Sequence, residues 1–143
     1  VKTKSLVGLA VAGNFGCAAW SGFFANRALA LGADEQALAD AAGVASACAM
    51  YNAFFKFRDL SGSDLFSGLP VGLRAHTFAG TTLDDKTVEL INIVISDLNG
   101  CQPCTAGHVG KARQLGLADE QILEAIQCAA TLFSGIQFLK HAG

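Results

Sequence analysis

Laid against itself with a shift of 84 positions, the sequence places Gly16-Cys17 on Gly100-Cys101 and Leu31-Gly32 on Leu115-Gly116. With one extra residue in the second copy, Asp34-Glu35-Gln36 falls on Asp119-Glu120-Gln121 and Leu38 on Leu123. Further back, Leu6, Leu9 and Val11 fall on Leu90, Ile93 and Ile95. Self-similarity of this kind is the mark of one supersecondary unit used twice. Residues 3–57 and 82–142 are thus expected to be two copies of a three-helix unit, joined by a loop-rich connector at 58–81 in a single domain. No stretch alternates apolar and polar residues with period two, so no strand is expected and the fold class is all-α.

Helix boundaries are readable inside this frame. Gly13-Asn14-Phe15-Gly16 looks like a helix–helix turn, and Asp34 is suited to N-cap a long helix that stays apolar through residues 51–57. Ser61-Gly62-Ser63-Asp64, Pro70 and Gly80 punctuate the connector, with one short helix expected over 73–78. Thr82 or Asp84 should cap the next helix, which Asn99-Gly100 ends; Gly116 stops the following one. Asp119 should then cap a last helix to about residue 141.

A hydrophobic fraction of 52% against 15% charged residues is high for a small soluble monomer. Either the chain enters a membrane or it hides apolar surface in an oligomer. Residues 5–26 carry no charge and are long enough for a span. Lys2 and Lys4 would also suit a signal peptide, with a weak lipid-attachment pattern at Asn14-Phe15-Gly16-Cys17. The turn in the middle of that run and its match to the second copy argue instead for a core helix pair, hence for a homo-oligomer and no membrane. The net charge of −2 is scattered, which leaves no footprint for nucleic acid. Five cysteines with one tight pair fit a reducing compartment, the cytoplasm, better than a secreted disulfide scaffold.

The chemistry concentrates in residues 89–108, where Cys101 and Cys104 form a Cys-x-x-Cys pair, His108 follows four residues later and Glu89 precedes Cys101 by twelve. On a helix starting after Gly100 the two thiols and the imidazole share one face. An antiparallel helix before the turn brings Glu89 level with His108, and a carboxylate inside so apolar a helix needs a partner. A helix N-terminus and a neighbouring imidazole both lower a thiol pKa, and Pro103 is tolerated in a first turn. A dithiol with a proton relay reduces something: one thiolate attacks a peroxide oxygen or a disulfide sulfur, and the other closes an intramolecular disulfide. A structural zinc site would need four ligands, and no second pair stands at suitable spacing. Cys17, Cys48 and Cys128, in apolar helical runs, read as buried small hydrophobes, and His76 and His141 as solvated. In the first copy Ser5, Trp20 and Phe24 stand where Glu89, Cys104 and His108 stand in the second, so that copy reads as a structural shell.

The Glu, the Asn-Gly-Cys-x-x-Cys and the His at these spacings resemble the alkylhydroperoxidase D (AhpD) branch of the carboxymuconolactone decarboxylase superfamily. The resemblance covers most of the chain, including the degenerate first copy and Asn52-Ala53-Phe54-Phe55. It implies a helical homo-oligomer, a trimer or hexamer, and a thiol peroxidase without metal or haem. By position it makes Cys104 the peroxide-attacking thiol and Cys101 the resolving one that also exchanges with the reductant, with His108 and Glu89 as the relay. Pro103 departs from that pattern, which has a histidine between the cysteines, and the N-terminal segment is shorter. Helix-dipole reasoning favours Cys101 as the more acidic thiol; the i, i+4 imidazole favours Cys104, and that assignment is the one adopted.

Three functions compete on these residues. The leading one is hydroperoxide reduction, with electrons from a dithiol donor such as a lipoyl or thioredoxin-like protein. The second is a disulfide reductase or adaptor serving a peroxiredoxin. The third is lactone decarboxylation or related acid/base chemistry, for which the cysteine pair is unnecessary.

Overall fold

A computed structural model describes residues 1–74 and 80–143. The described residues form six α-helices and no strand: α1 (Lys2–Asn14), α2 (Ala18–Ala30), α3 (Glu35–Leu60), α4 (Asp85–Leu98), α5 (Gln102–Gln114) and α6 (Asp119–Ala142). The all-α expectation holds.

Two helices form the centre. α1 packs on α2, α3, α4 and α6, and α4 packs on α5, α3, α1 and α6. Leu6, Val7, Ala10 and Val11 from α1 meet Ile91, Val94 and Ile95 from α4 in one core with Val44, Cys48, Ala129 and Ile136. Burying a side chain of this size contributes about 1.5–3 kcal/mol, so the two central helices dominate the apolar stabilisation. At 13 residues and mostly buried, α1 is a core helix. The expected core pair is half right, because α2 buries only Ala28 and lies outside α1. α5 is placed likewise outside α4 and buries only Ala112. Ala28 and Ala112 are 84 positions apart, the shift that aligns the two halves.

The turns repeat as well. Gly16 and Gly100 have φ of 67° and 73°. Cys17 N donates to Ala12 O at 2.9 Å, and Cys101 N to Ser96 O at 3.0 Å. A side chain at either glycine would be forced into the left-handed region, which costs roughly 1–2 kcal/mol.

Local chemistry explains most boundaries and two differences from expectation. Asp34 caps α3 by accepting from Ala37 N at 2.8 Å. Asp84, rather than Thr82, caps α4, accepting from Thr87 N at 2.9 Å. Thr82 instead donates its N–H and its hydroxyl to Asp40 Oδ2, both at 2.6 Å, and so ties the connector back to α3. The N-cap of α6 is Ala118, not Asp119: Gln121 Oε1 accepts from Ala118 N, while Asp119 accepts from Arg113. The connector's short helix is a single 3-10 turn at Phe66–Gly68, not a helix over 73–78. Phe66 packs edge-on against Phe57 at 5.0 Å, and Leu69, forced extended by Pro70, ends the turn. Residues 73 and 74 are not helical, and 75–79, with His76, lie outside the described residues.

α6 buries only the narrow stripe Ile122, Ala129 and Ile136. Leu123, Phe138 and Leu139 are exposed, and so is Cys128, which sits beside that stripe and not on it. Cys17 is half-buried, and only Cys48 of the three unpaired cysteines is a core residue as expected. Among the described residues α6 is the one helix long and apolar enough to cross a membrane by length and composition, with 17% of its most apolar window buried.

Candidate active site

α4 and α3 each contribute four residues, and α5 four besides Pro103, at i, i+3, i+4 and i+7 to one cavity of about 680 Å³. They are Asp85, Val88, Glu89 and Asn92; Cys104, Gly107, His108 and Lys111; and Cys48, Tyr51, Asn52 and Phe55. That spacing is a single stripe along each helix, so three stripes face a common space. The connector closes it with Thr81 and Leu83.

Glu89 is the pivot. It is 1% exposed, and each of its oxygens has one basic partner. His108 Nδ1 lies 2.7 Å from Oε2, and Lys111 Nζ lies 2.9 Å from Oε1. Burial pushes the Glu89 carboxyl up, but the hydrogen bonds and charges of His108 and Lys111 together outweigh it and hold the group below its ordinary range. The antiparallel hairpin thus does what the spacing implied. Lys111 was missed in the sequence. Its side chain is largely exposed while its ammonium reaches the buried carboxylate, the habit of a long amphipathic stem. Its place seven residues after Cys104, on the stripe of His108, was the available signal.

The cysteines sit at the start of α5. Cys101 is its N-cap, Pro103 is in its first turn, and Cys101 and Cys104 are joined in a disulfide with Cα atoms 5.3 Å apart. Cys101 is 1% exposed, whereas Cys104 is half-buried and lines the cavity beside His108. All four sequence-predicted residues are therefore in one place, with Cys104 rather than Cys101 on the cavity wall.

A partly buried polar network fixes the turn that carries them. Asn14 Nδ2 donates to Asn99 Oδ1 at 3.0 Å, Asn99 Nδ2 to Asn52 Oδ1 at 3.1 Å, and Asn52 Nδ2 to Ser96 Oγ at 2.9 Å. Lys56 Nζ donates to the Asn99 carbonyl at 3.1 Å. Cys48 also lines the cavity, but burial pushes its thiol up, which disfavours the thiolate.

The corresponding positions of the first half carry none of this. Trp20 and Phe24 stack with centroids 5.9 Å apart where Cys104 and His108 stand in the second half. Gly8 stands where Asn92 does, and a Cβ there would come within 2.7 Å of the Phe24 ring. These rings border a larger cavity, about 1000 Å³, between α1, α2, α4 and α6, which holds neither member of the cysteine pair. Size alone would favour it; Cys104, Glu89 and His108 line the smaller one.

The family model for the carboxymuconolactone decarboxylase family matches residues 66–142, the segment that holds Glu89, Cys101, Cys104 and His108. Proteins named alkyl hydroperoxide reductase AhpD are similar over a comparable stretch. The one from Solibacter usitatus is 35% identical over 99 residues, 69% of this chain and 56% of its own. The one from Mycobacteroides abscessus is 36% identical over 105 residues, 73% of this chain and 59% of its own. That from Corynebacterium kroppenstedtii is 35% identical over 90 residues, 63% and 51%. The matched stretch therefore spans between half and three-fifths of these relatives.

Proposed function

The chain belongs to the carboxymuconolactone decarboxylase family, and from that premise we propose that it is a thiol-dependent peroxidase of the alkyl hydroperoxide reductase kind. The observation that carries the reading is the Cys101–Cys104 disulfide beside a cavity in which His108 is bonded to a buried Glu89. A carboxylate held anionic on Nδ1 leaves Nε2 as the ring nitrogen that exchanges a proton with the Cys104 thiol. The Cys104 thiolate attacks a peroxide oxygen; the S–O bond forms as O–O breaks, and the departing alkoxide takes a proton from His108. Cys101 then attacks the Cys104 sulfur, water leaves, and the disulfide seen here results. A dithiol reductant such as a lipoyl or thioredoxin-like protein returns both thiols. Cys101 at the N-cap of α5 suits this resolving role, because the helix end stabilises the thiolate that attacks the Cys104 sulfur.

Stopped-flow peroxide consumption by pre-reduced protein, with thiols counted before and after, tests the reading. One peroxide consumed for two thiols lost is the expected result. No consumption, with disulfide exchange intact, would favour an adaptor that passes electrons to a peroxiredoxin.

Residues 3–57 act in this proposal as a structural copy and 82–142 as the reactive one. Cys17→Ala should accordingly leave peroxide turnover within about twofold, since no transition-state contact is lost. A drop of orders of magnitude in a folded variant would place Cys17 in the reaction. The exposed Leu123, Phe138 and Leu139 on α6 support assembly into a symmetric oligomer, a trimer or hexamer. Light scattering at micromolar concentration should give a multiple of 14.8 kDa, and a mass near 14.8 kDa would refute the assembly.

A further inference from the structure

Asn92 is a polar group in the reactive cavity that the relay leaves unused. The residue is 1% exposed, and its side-chain carbonyl oxygen is buried with no hydrogen-bond partner among the described residues. Native chains keep few such acceptors, because an unpaired one is destabilising. The nearby Cys48 thiol points to the Asn92 main-chain oxygen instead, at 3.5 Å.

The helix register shows what Asn92 faces. Two cross-links fix α4 against α5: Glu89 to His108 at 2.7 Å, and Ser96 O to Cys101 N at 3.0 Å. Residues that pair across the hairpin move toward the turn together, so Asn92, between Glu89 and Ser96, comes level with residues 104 and 105. It lines the same cavity as Cys104 and His108.

We propose that the Asn92 carbonyl accepts the O–H of the hydroperoxide, which makes it a substrate-binding residue of the peroxidase reading, on which this inference rests. In ROOH the oxygen bearing hydrogen is the one that Cys104 attacks. A bond from that hydrogen to Asn92 holds the oxygen at the sulfur and directs the other oxygen toward His108. As the S–O bond forms and O–O breaks, the hydroxyl hydrogen stays with the sulfenic acid and RO⁻ leaves with the His108 proton. A carbonyl oxygen can only accept, so it offers nothing to a thiolate or to a disulfide, neither of which carries a donor. The requirement for a hydroxyl hydrogen separates substrate binding from general access to Cys104.

The test uses full-length reduced wild type, Asn92→Ala and Asn92→Leu in stopped flow with hydrogen peroxide and tert-butyl hydroperoxide. An aromatic disulfide, 5,5′-dithiobis(2-nitrobenzoate), serves as a thiol reagent without an O–H. Helical circular dichroism selects the variant that is folded, and either alone suffices. The expected result is a loss of about ten- to a hundredfold in the second-order rate constant for both hydroperoxides, with the disulfide reaction within about twofold of wild type. Unchanged hydroperoxide rates, or an equal loss with all three reagents, would overturn the role of Asn92 while leaving the peroxidase reading intact. A wild type that reacts with the disulfide and with neither hydroperoxide would overturn both.

Discussion

Cys101→Ser should consume about one equivalent of peroxide per site and stop there, with a sulfenic acid on Cys104 and no thiol in reach to resolve it. Cys104→Ser should not react at a useful rate, because Cys101 is 1% exposed and, of the pair, only Cys104 lines the cavity. Steady-state turnover is then lost in both variants, for different reasons. Sulfenic-acid trapping followed by peptide mapping separates them. Label on Cys101 in Cys104→Ser, with none on Cys104 in the reciprocal variant, would reverse the assignment and give the helix N-terminus the deciding influence. The structure contains both influences at once: Cys101 holds the N-cap of α5, and Cys104 holds the face shared with His108. Their separation is what lets Cys104 attack the peroxide and Cys101 resolve the sulfenic acid.

What was legible in the sequence followed from local constraints. The Asn99-Gly100 turn could be read because a positive φ leaves a glycine as its trace, and Gly100 has φ 73°. Glu89 could be read because a carboxylate on an apolar helix is costly without a partner, and periodicity brought His108 to it. Lys111 and Asn92 were not read, since their roles depend on depth. A lysine on an amphipathic helix looks solvated until the buried oxygen under it is known, and an asparagine looks polar and ordinary until nothing is found to bond it. The same limit explains Cys128 and α2. When a helix is apolar nearly all round, its sequence does not say which narrow stripe is covered. α6 covers only the stripe through Ala129 and leaves its neighbour Cys128 outside. The connector's short helix was misplaced because Phe66 turns where Phe57 and Pro70 allow, a tertiary contact on one side and a proline on the other.

His108→Ala should slow the oxidation of Cys104 by roughly 10²–10⁴-fold, the usual range for a lost general acid–base, while the disulfide still forms after the slow step. Glu89→Gln should act in the same direction and by less, because it touches the imidazole and not the sulfur. The two variants part company in stability. The Glu89 carboxyl is held below its ordinary value of 4.5, so the folded protein binds its proton less readily than the unfolded chain does. Its contribution is therefore complete above pH about 4.5 and is lost as pH falls through the folded-state value. Wild type should unfold in acid over that window. Glu89→Gln has no proton to take up there, should be less stable at neutral pH, and should show a shallower acid dependence. His108→Ala keeps Lys111 on the carboxylate, 2.9 Å from Oε1, and so should retain part of the wild-type slope. Urea unfolding at a series of pH values between 2 and 7 measures all three. Identical slopes in wild type and Glu89→Gln would mean that the buried carboxylate is not anionic in the folded protein, and the relay would lose the charge that holds the His108 proton on Nδ1.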